Sequence, residues 1–210
     1  MEKSNTRDEI IEAALDLFSV NGYEATSISQ IADAVGIRKA SLYSHFANKQ
    51  EILDTVVGTV LDGYARHSIF VHANWDDPEY IKDKASMTAD DVSKLIQGQI
   101  RYIIHDPHIS KGRKMLVIEQ FRNPELARLQ TKQNYDDILK FFNGMMKFMI
   151  SNGIFKDADP EIMASQFALP VTVWINLCDR EPNREDEVME LVMRHVEQFF
   201  KAYTKGDSSL

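Results

Sequence analysis

Residues 27–49 leave the chain little choice of fold. Ser27-Ile28-Ser29-Gln30 has the form of a capping box, a serine hydroxyl and a glutamine amide each meeting a free backbone N–H. The helix it starts carries Ile28, Ile31, Ala32 and Val35 on one side. Gly36 breaks that helix, and a second amphipathic stretch follows almost at once. Ala32 and Gly36 are four apart, so the two helices are expected to approach closely there. On a helical wheel Leu42 and Phe46 fall one turn apart as a narrow apolar stripe. Ala40, Ser41, Tyr43 and Ser44 take the opposite arc, with Lys39 and His45 at its flanks and no acid among them. This is the layout of a helix-turn-helix, the first helix bracing the second.

The outward arc has a definite chemistry. Small residues let a backbone approach a groove, hydroxyls and imidazole meet base edges or phosphate, and cations meet phosphate. Taken alone, the same arc fits an ordinary helix with a solvated face. Charge narrows the reading. The chain of 210 residues carries a formal net charge of -8. Residues 1–60 hold five Lys/Arg against nine Asp/Glu, yet residues 36–49 hold Arg38, Lys39 and Lys49 and no acid. Nucleic-acid contact is therefore expected to be local, geometrically fixed and salt-sensitive, with loose binding disfavoured by the acidic remainder.

The flanking segments complete a small helical head. Ile10, Ala14, Leu17 and Phe18 form one stripe of a helix over Thr6–Asn21, with Asp8, Glu9 and Glu12 in its first turns and Asn21-Gly22 as its stop. A fourth helix is expected from Asn48 as N-cap, its apolar face running through Ile52, Leu53, Val56, Val57, Val60 and Leu61. Free N–H groups at its start, with the Lys49 ammonium, suit a phosphate.

The ordered set Ile10-x-x-Ala13-Ala14-x-x-Leu17-Phe18, Gly22-Tyr23-x-x-Thr26-Ser27, Ile31-Ala32-x-x-x-Gly36-Ile37, Ser41-Leu42-Tyr43-x-His45-Phe46 and Asn48-Lys49-x-x-Ile52-Leu53 resembles the DNA-binding head of the tetracycline-repressor (TetR) family. The resemblance covers about residues 7–60 and fades from about Tyr64. It implies an all-α fold: a three-helix helix-turn-helix head in residues 1–50, and a helical effector-binding and dimerisation domain in residues 51–210 reached through a helix from about residue 49. Carried over residue by residue, it implies phosphate contacts from Thr26, Ser27 and Lys49. Ser29 would face the groove, Lys39, Ala40, Ser41 and Tyr43 would read it, and His45 would sit at the edge. Ser29 and Lys39 replace the long basic and amide side chains of a family prototype, so the operator sequence does not transfer.

Beyond the head, helix signals follow one another. His72 to Met87 reads as a polar loop with at most one short turn of helix. Thr88 caps a helix bearing Val92, Leu95, Ile96, Gln99, Ile100, Ile103 and Ile104, which Asp106-Pro107 ends. A shorter helix fits Ser110–Phe121, and Asn123-Pro124-Glu125 starts one that reaches Ser151. Asp159-Pro160-Glu161 starts the next, with Pro170 expected to kink it, and Arg184–Tyr203 is the last. Gly206 to Leu210 reads as a frayed tail. The resemblance places a homodimer seam on the last two helices; Phe167, Trp174 and Phe199 fit that seam or the core of one chain equally.

A soft lining for a small, largely apolar effector is expected from Phe142, Met145, Met146, Met149, Met115, Ile118, Phe121, Ile104 and Trp174. Simple core packing accounts for most of the Met and Phe residues of the long helix as well. His105-Asp106-Pro107-His108 lacks further ligands, so neither a metal nor a cofactor is expected. The single cysteine, Cys178, the lack of a secretion-signal core and the lack of an apolar run long enough to span a bilayer fit a cytoplasmic protein away from membranes. No catalytic motif is present, so an enzyme is not expected. The resemblance implies a homodimeric repressor of a palindromic operator in double-stranded DNA, released by its effector. A small-molecule- or partner-binding protein on the same fold without operator binding is the alternative.

Overall fold

The computed structural model describes residues 5–75, 77–84 and 87–205. The chain is all-helical: α1 Thr6–Asn21, α2 Ile28–Val35, α3 Lys39–Leu42, α4 Lys49–His67, α5 Ile69–His72, α6 Pro78–Lys84, α7 Ala89–His105, α8 Pro107–Glu119, α9 Pro124–Thr131, α10 Asp137–Ser151, α11 Pro160–Arg180 and α12 Glu185–Tyr203. Among the described residues the extended pairing is one isolated antiparallel bridge, Phe155 with Thr204. The expected tail Gly206 to Leu210 lies outside the described residues. No helix among the described residues is long and apolar enough to cross a membrane.

Two compact units divide the chain, Met1–His67 with His105–Gln130, and Ser68–Ile104 with Thr131–Leu210. In the first, α1 packs against α2, α4 and α8. Ile10, Leu15, Phe18, Ile31, Leu42, Phe46, Ile52 and Leu53 meet in its core, each almost wholly removed from water. Apolar residues recurring every three to four positions put these side chains on the inner faces of their helices. In the second, α10 packs on α11, and α11 on α12. Its core gathers Ile96, Ile100, Phe141, Met146, Phe155, Phe167, Val188 and Val196. Phe167 and Phe199, left open between core and seam, both belong to this core.

Helix starts follow their caps closely. Asp106 Oδ1 accepts from the His108 and Ile109 N–H groups at 3.0 Å, and Asp159 Oδ1 from Glu161 at 2.9 Å. Asp106-Pro107 therefore both follows the end of α7 at His105 and opens α8, three residues ahead of the expected Ser110. The missing proline N–H costs nothing at a first helical position. The polar stretch after His72 contains α6, two turns at Pro78–Lys84. The helix expected from Pro124 to Ser151 runs through a π turn at Lys132–Asp136, closed by the Asp137 N–H on the Lys132 carbonyl. Helix α11 continues through Pro170.

Candidate nucleic-acid interface

The turn between α2 and α3 sets up the surface. Ser27 and Gln30 form the full capping box: the Ser27 hydroxyl accepts from the Gln30 N–H at 3.2 Å, and the Ser27 N–H donates to Gln30 Oε1 at 2.7 Å. Gly36 ends α2 at φ 76°, ψ 27°, the left-handed region that an L side chain pays to enter. A Cβ at Gly36 would meet nothing within 4 Å. The glycine is there for its backbone angle and not, as expected, for a close approach between helices.

Helix α3 is a single turn. Arg38 opens it from an extended conformation, and Tyr43-Ser44-His45 continue as turns, so the reading stretch is shorter in regular helix than its wheel implies. Leu42 is fully buried and Phe46 nearly so, and these two hold the stretch to the head. The Arg7 guanidinium lies 4.6 Å from the Phe46 ring centroid and covers it from the other side. Lys39, Ala40, Ser41 and Tyr43 are exposed, Tyr43 at 46%. His45 is half-buried, and the Ser44 hydroxyl donates to the Ser41 carbonyl at 2.6 Å. A shallow, acid-free rim of small, hydroxyl, phenol and ammonium groups thus stands on a two-residue anchor.

The flanking candidates divide. Ser29 is exposed on α2, and Ser27 is exposed while serving as cap. Thr26 is 1% exposed, and its hydroxyl donates to the Gly22 carbonyl at 2.8 Å. Lys49 turns inward: its ammonium donates to the Tyr23 and Thr26 carbonyls at 2.8 and 3.0 Å and sits 4.1 Å from the Tyr23 ring centroid. These contacts tie the start of α4 to the turn between α1 and α2. The Tyr23 N–H in turn donates to Glu119 Oε1 at 2.8 Å, a carboxylate only 2% exposed. Burial pushes the Tyr23 phenol above its ordinary pKa, and Glu24, Asp54 and Glu119 add to the shift. At the start of α4, Asn48 Oδ1 accepts from Glu51 at 2.9 Å, and Glu51 Oε2 accepts from the Ala47 N–H at 2.6 Å. The roles of Arg7, Tyr23 and Glu119 were not legible in sequence, because each acts on a partner far along the chain or across a turn.

The expected effector lining is dispersed. Phe142, Met145, Met146 and Met149 are buried in the core of the second unit, with Ile104 and Trp174 packed against it. Met115 lies in the core of the first unit. Ile118 is half-buried and Phe121 is 89% exposed, both in the first unit. His108 Nδ1 lies 3.5 Å from Glu12, and Asp106 is occupied as a cap. Cys178 is a buried thiol.

A short helix pair meeting at a left-handed glycine, with an acid-free outer rim, defines a helix-turn-helix protein with an all-helical remainder. Residues 10–56 match the model of the bacterial regulatory proteins, tetR family. The N-terminal head of this chain belongs to that family. It is 39% identical over 59 residues to the transcriptional regulator TcmR of Streptomyces glaucescens, covering 28% of this chain and 26% of that protein. It is 41% identical over 68 residues to IcaR of Staphylococcus aureus, the negative transcriptional regulator of the biofilm operon icaADBC, covering 32% and 36%. The match thus spans about a quarter to a third of these relatives' length. Over nearly the full chain the fold is that of solved regulators. SmeT in complex with triclosan superposes with a TM-score of 0.66 at 19% identity, over 98% of this chain and 94% of that one. The flavonoid-responsive regulator FrrA gives 0.61 at 22%, over 95% and 97%. SmeT is the repressor of a multidrug efflux pump of Stenotrophomonas maltophilia. The homologues are transcriptional regulators, not enzymes.

Proposed function

We propose that this chain is a ligand-responsive transcriptional repressor that binds a palindromic operator as a homodimer in the cytoplasm. One observation carries the reading: Lys39, Ala40, Ser41 and Tyr43 stand exposed on an acid-free turn whose only inward side chains, Leu42 and Phe46, are buried. In an otherwise anionic chain such a surface has a polyanion as its natural complement. One such turn reaches only a few base pairs, so two copies related by a two-fold axis are required for selectivity. The last two helices supply the seam. Ile162 and Val173 on α11 and Met193 on α12 are 54%, 61% and 41% exposed, apolar surface that a second copy would cover. Residues 1–50 form the reading head in this proposal, and residues 51–210 the effector and dimer part. Release follows from linkage: a small, largely apolar effector loosens DNA binding only by its differential affinity for two dimer shapes. SmeT, which binds triclosan, and FrrA, a flavonoid-responsive regulator, support an aromatic effector class.

The test is a gel shift with DNA from upstream of the chain's own gene. A saturable shift that weakens steeply with salt and is lost in Lys39→Ala/Tyr43→Ala supports the reading. No shift, or one that the double substitution leaves intact, overturns it.

A further inference from the structure

Trp75 is the most heavily engaged aromatic that the sequence left in a loop. It follows α5 and lies across the face of α10 that carries Phe141, Gly144 and Phe148. Its indole stands 5.5 Å from the Phe141 ring in an edge-on contact and 6.0 Å from Phe148 in a stacked one. Between those two phenylalanines sits Gly144. A Cβ there would come within 2.7 Å of Trp75 Cγ and 2.9 Å of Nε1, so the glycine is the seat of the indole. Phe70, five residues earlier on α5, meets Phe141 edge-on at 5.4 Å.

The loop and α10 enclose an open cleft of about 550 Å³ beside Trp75, with Phe70, Trp75 and Phe141 as aromatic wall and Lys132, Lys140 and Lys147 as cationic rim. A second cleft of about 570 Å³ shares Trp75, Gly144 and Lys147 from the other side and adds Lys82. Lys132 is satisfied internally, donating to both carboxylate oxygens of Asp137 at 2.7 and 2.8 Å. Five residues apart, the two are brought together by the π turn, which opens the ladder at the mouth of the cleft. Lys140 and Lys147 are seven apart on α10, one either side of Gly144, exposed, and without an acidic partner among the described residues. Asn143 also lines the cleft, its Oδ1 buried and without a hydrogen-bond donor among the described residues.

A flat aromatic wall with two uncompensated ammonium groups at its edge selects for one kind of molecule. We propose that this cleft binds a small aromatic acid, its ring against Trp75 and Phe70 and its carboxylate between Lys140 and Lys147. The volume is that of an ordinary small-molecule site. The ligand is amphipathic: the methionines expected to line the site are buried in the two cores, and an acidic group is what the rim recognises. Binding stands on this geometry alone; that the ligand is also the effector rests on the regulator reading above.

The indole N–H signals of Trp75 and Trp174 report it directly in ¹⁵N–¹H spectra of the full chain, assigned with Trp174→Phe. The probes are 2-naphthoate and its neutral methyl ester, which brings no donor to Asn143. The Trp75 signal should move saturably with naphthoate, with the ester about tenfold weaker, the scale of a charge-assisted hydrogen bond. Lys140→Gln/Lys147→Gln, two surface changes that leave the fold intact, should erase that preference while keeping the Trp75 signal in place. Equal response to both probes, a response confined to Trp174, or none would overturn the proposal. Naphthoate binding that leaves the operator shift unchanged would support the site and count against the effector reading.

Discussion

The inward-turned Lys49 separates a brace from a phosphate contact, and Lys49→Met measures which it is. Methionine keeps most of the apolar stem and removes the ammonium. Two carbonyls, of Tyr23 and Thr26, then lose donors at 2.8 and 3.0 Å, and the Tyr23 ring loses its cation. A charged hydrogen bond contributes about 1.5–3 kcal/mol, and a cation over an exposed ring about 0.5–1 kcal/mol. Both carbonyls are only part-buried, so water replaces some of the loss. The expected destabilisation is about 2 kcal/mol, a fall in Tm of roughly 4–8 °C for a chain this size. Urea unfolding followed by circular dichroism measures it, with Lys49→Arg as a partial rescue. Operator binding well below the transition should fall less than stability does. If Lys49→Met unfolds within about 0.5 kcal/mol of the parent while DNA affinity and its salt slope both drop, the brace is refuted and the phosphate role restored.

Gly36→Ala should cost about 1–2 kcal/mol, because φ 76° is strained for any L side chain although space is free; urea unfolding reads it, and Gly36→Asn should cost less. Gly144→Ala should expel the indole from its seat, destabilising by about 1–3 kcal/mol and red-shifting the Trp75 emission, in spite of alanine's better helix propensity. Asp91 is held below its usual carboxylate pKa by the Thr88 N–H first and its hydroxyl second. A depressed carboxylate adds stability above its unfolded pKa that is lost as pH falls through the folded one, so Asp91→Asn should be less stable than the parent at neutral pH, and the difference should close as pH falls below the ordinary value of 3.8, which flattens the acid limb.

Much of the fold was readable because its signals are local. The capping box at Ser27, the N-caps at Asn48 and Thr88, and the prolines at 124 and 160 all act within one turn of the residues they serve, and each appears in place. Where a signal had two meanings, sequence took only one: Asp106-Pro107 was read as a stop and is also a start. The π turn left no mark, since its sequence, Lys-Gln-Asn-Tyr-Asp, fits an α-helix as well. Trp75 was passed over because the residues around it are polar, and its partners Phe141, Gly144 and Phe148 lie about seventy positions on. The exposed rim was legible in which residues face out. That Thr26 and Lys49 spend their polar atoms on backbone carbonyls was not, because those carbonyls belong to a turn whose shape only the folded head defines.

The two-residue anchor of the reading turn has an evolutionary corollary. Leu42 and Phe46 carry the attachment, while Lys39, Ala40, Ser41 and Tyr43 bury little. Substitution at those four positions is nearly free of any folding penalty. If this rim reads DNA as proposed, a lineage built on this head can wander among target sequences by point changes, each variant arriving already foldable.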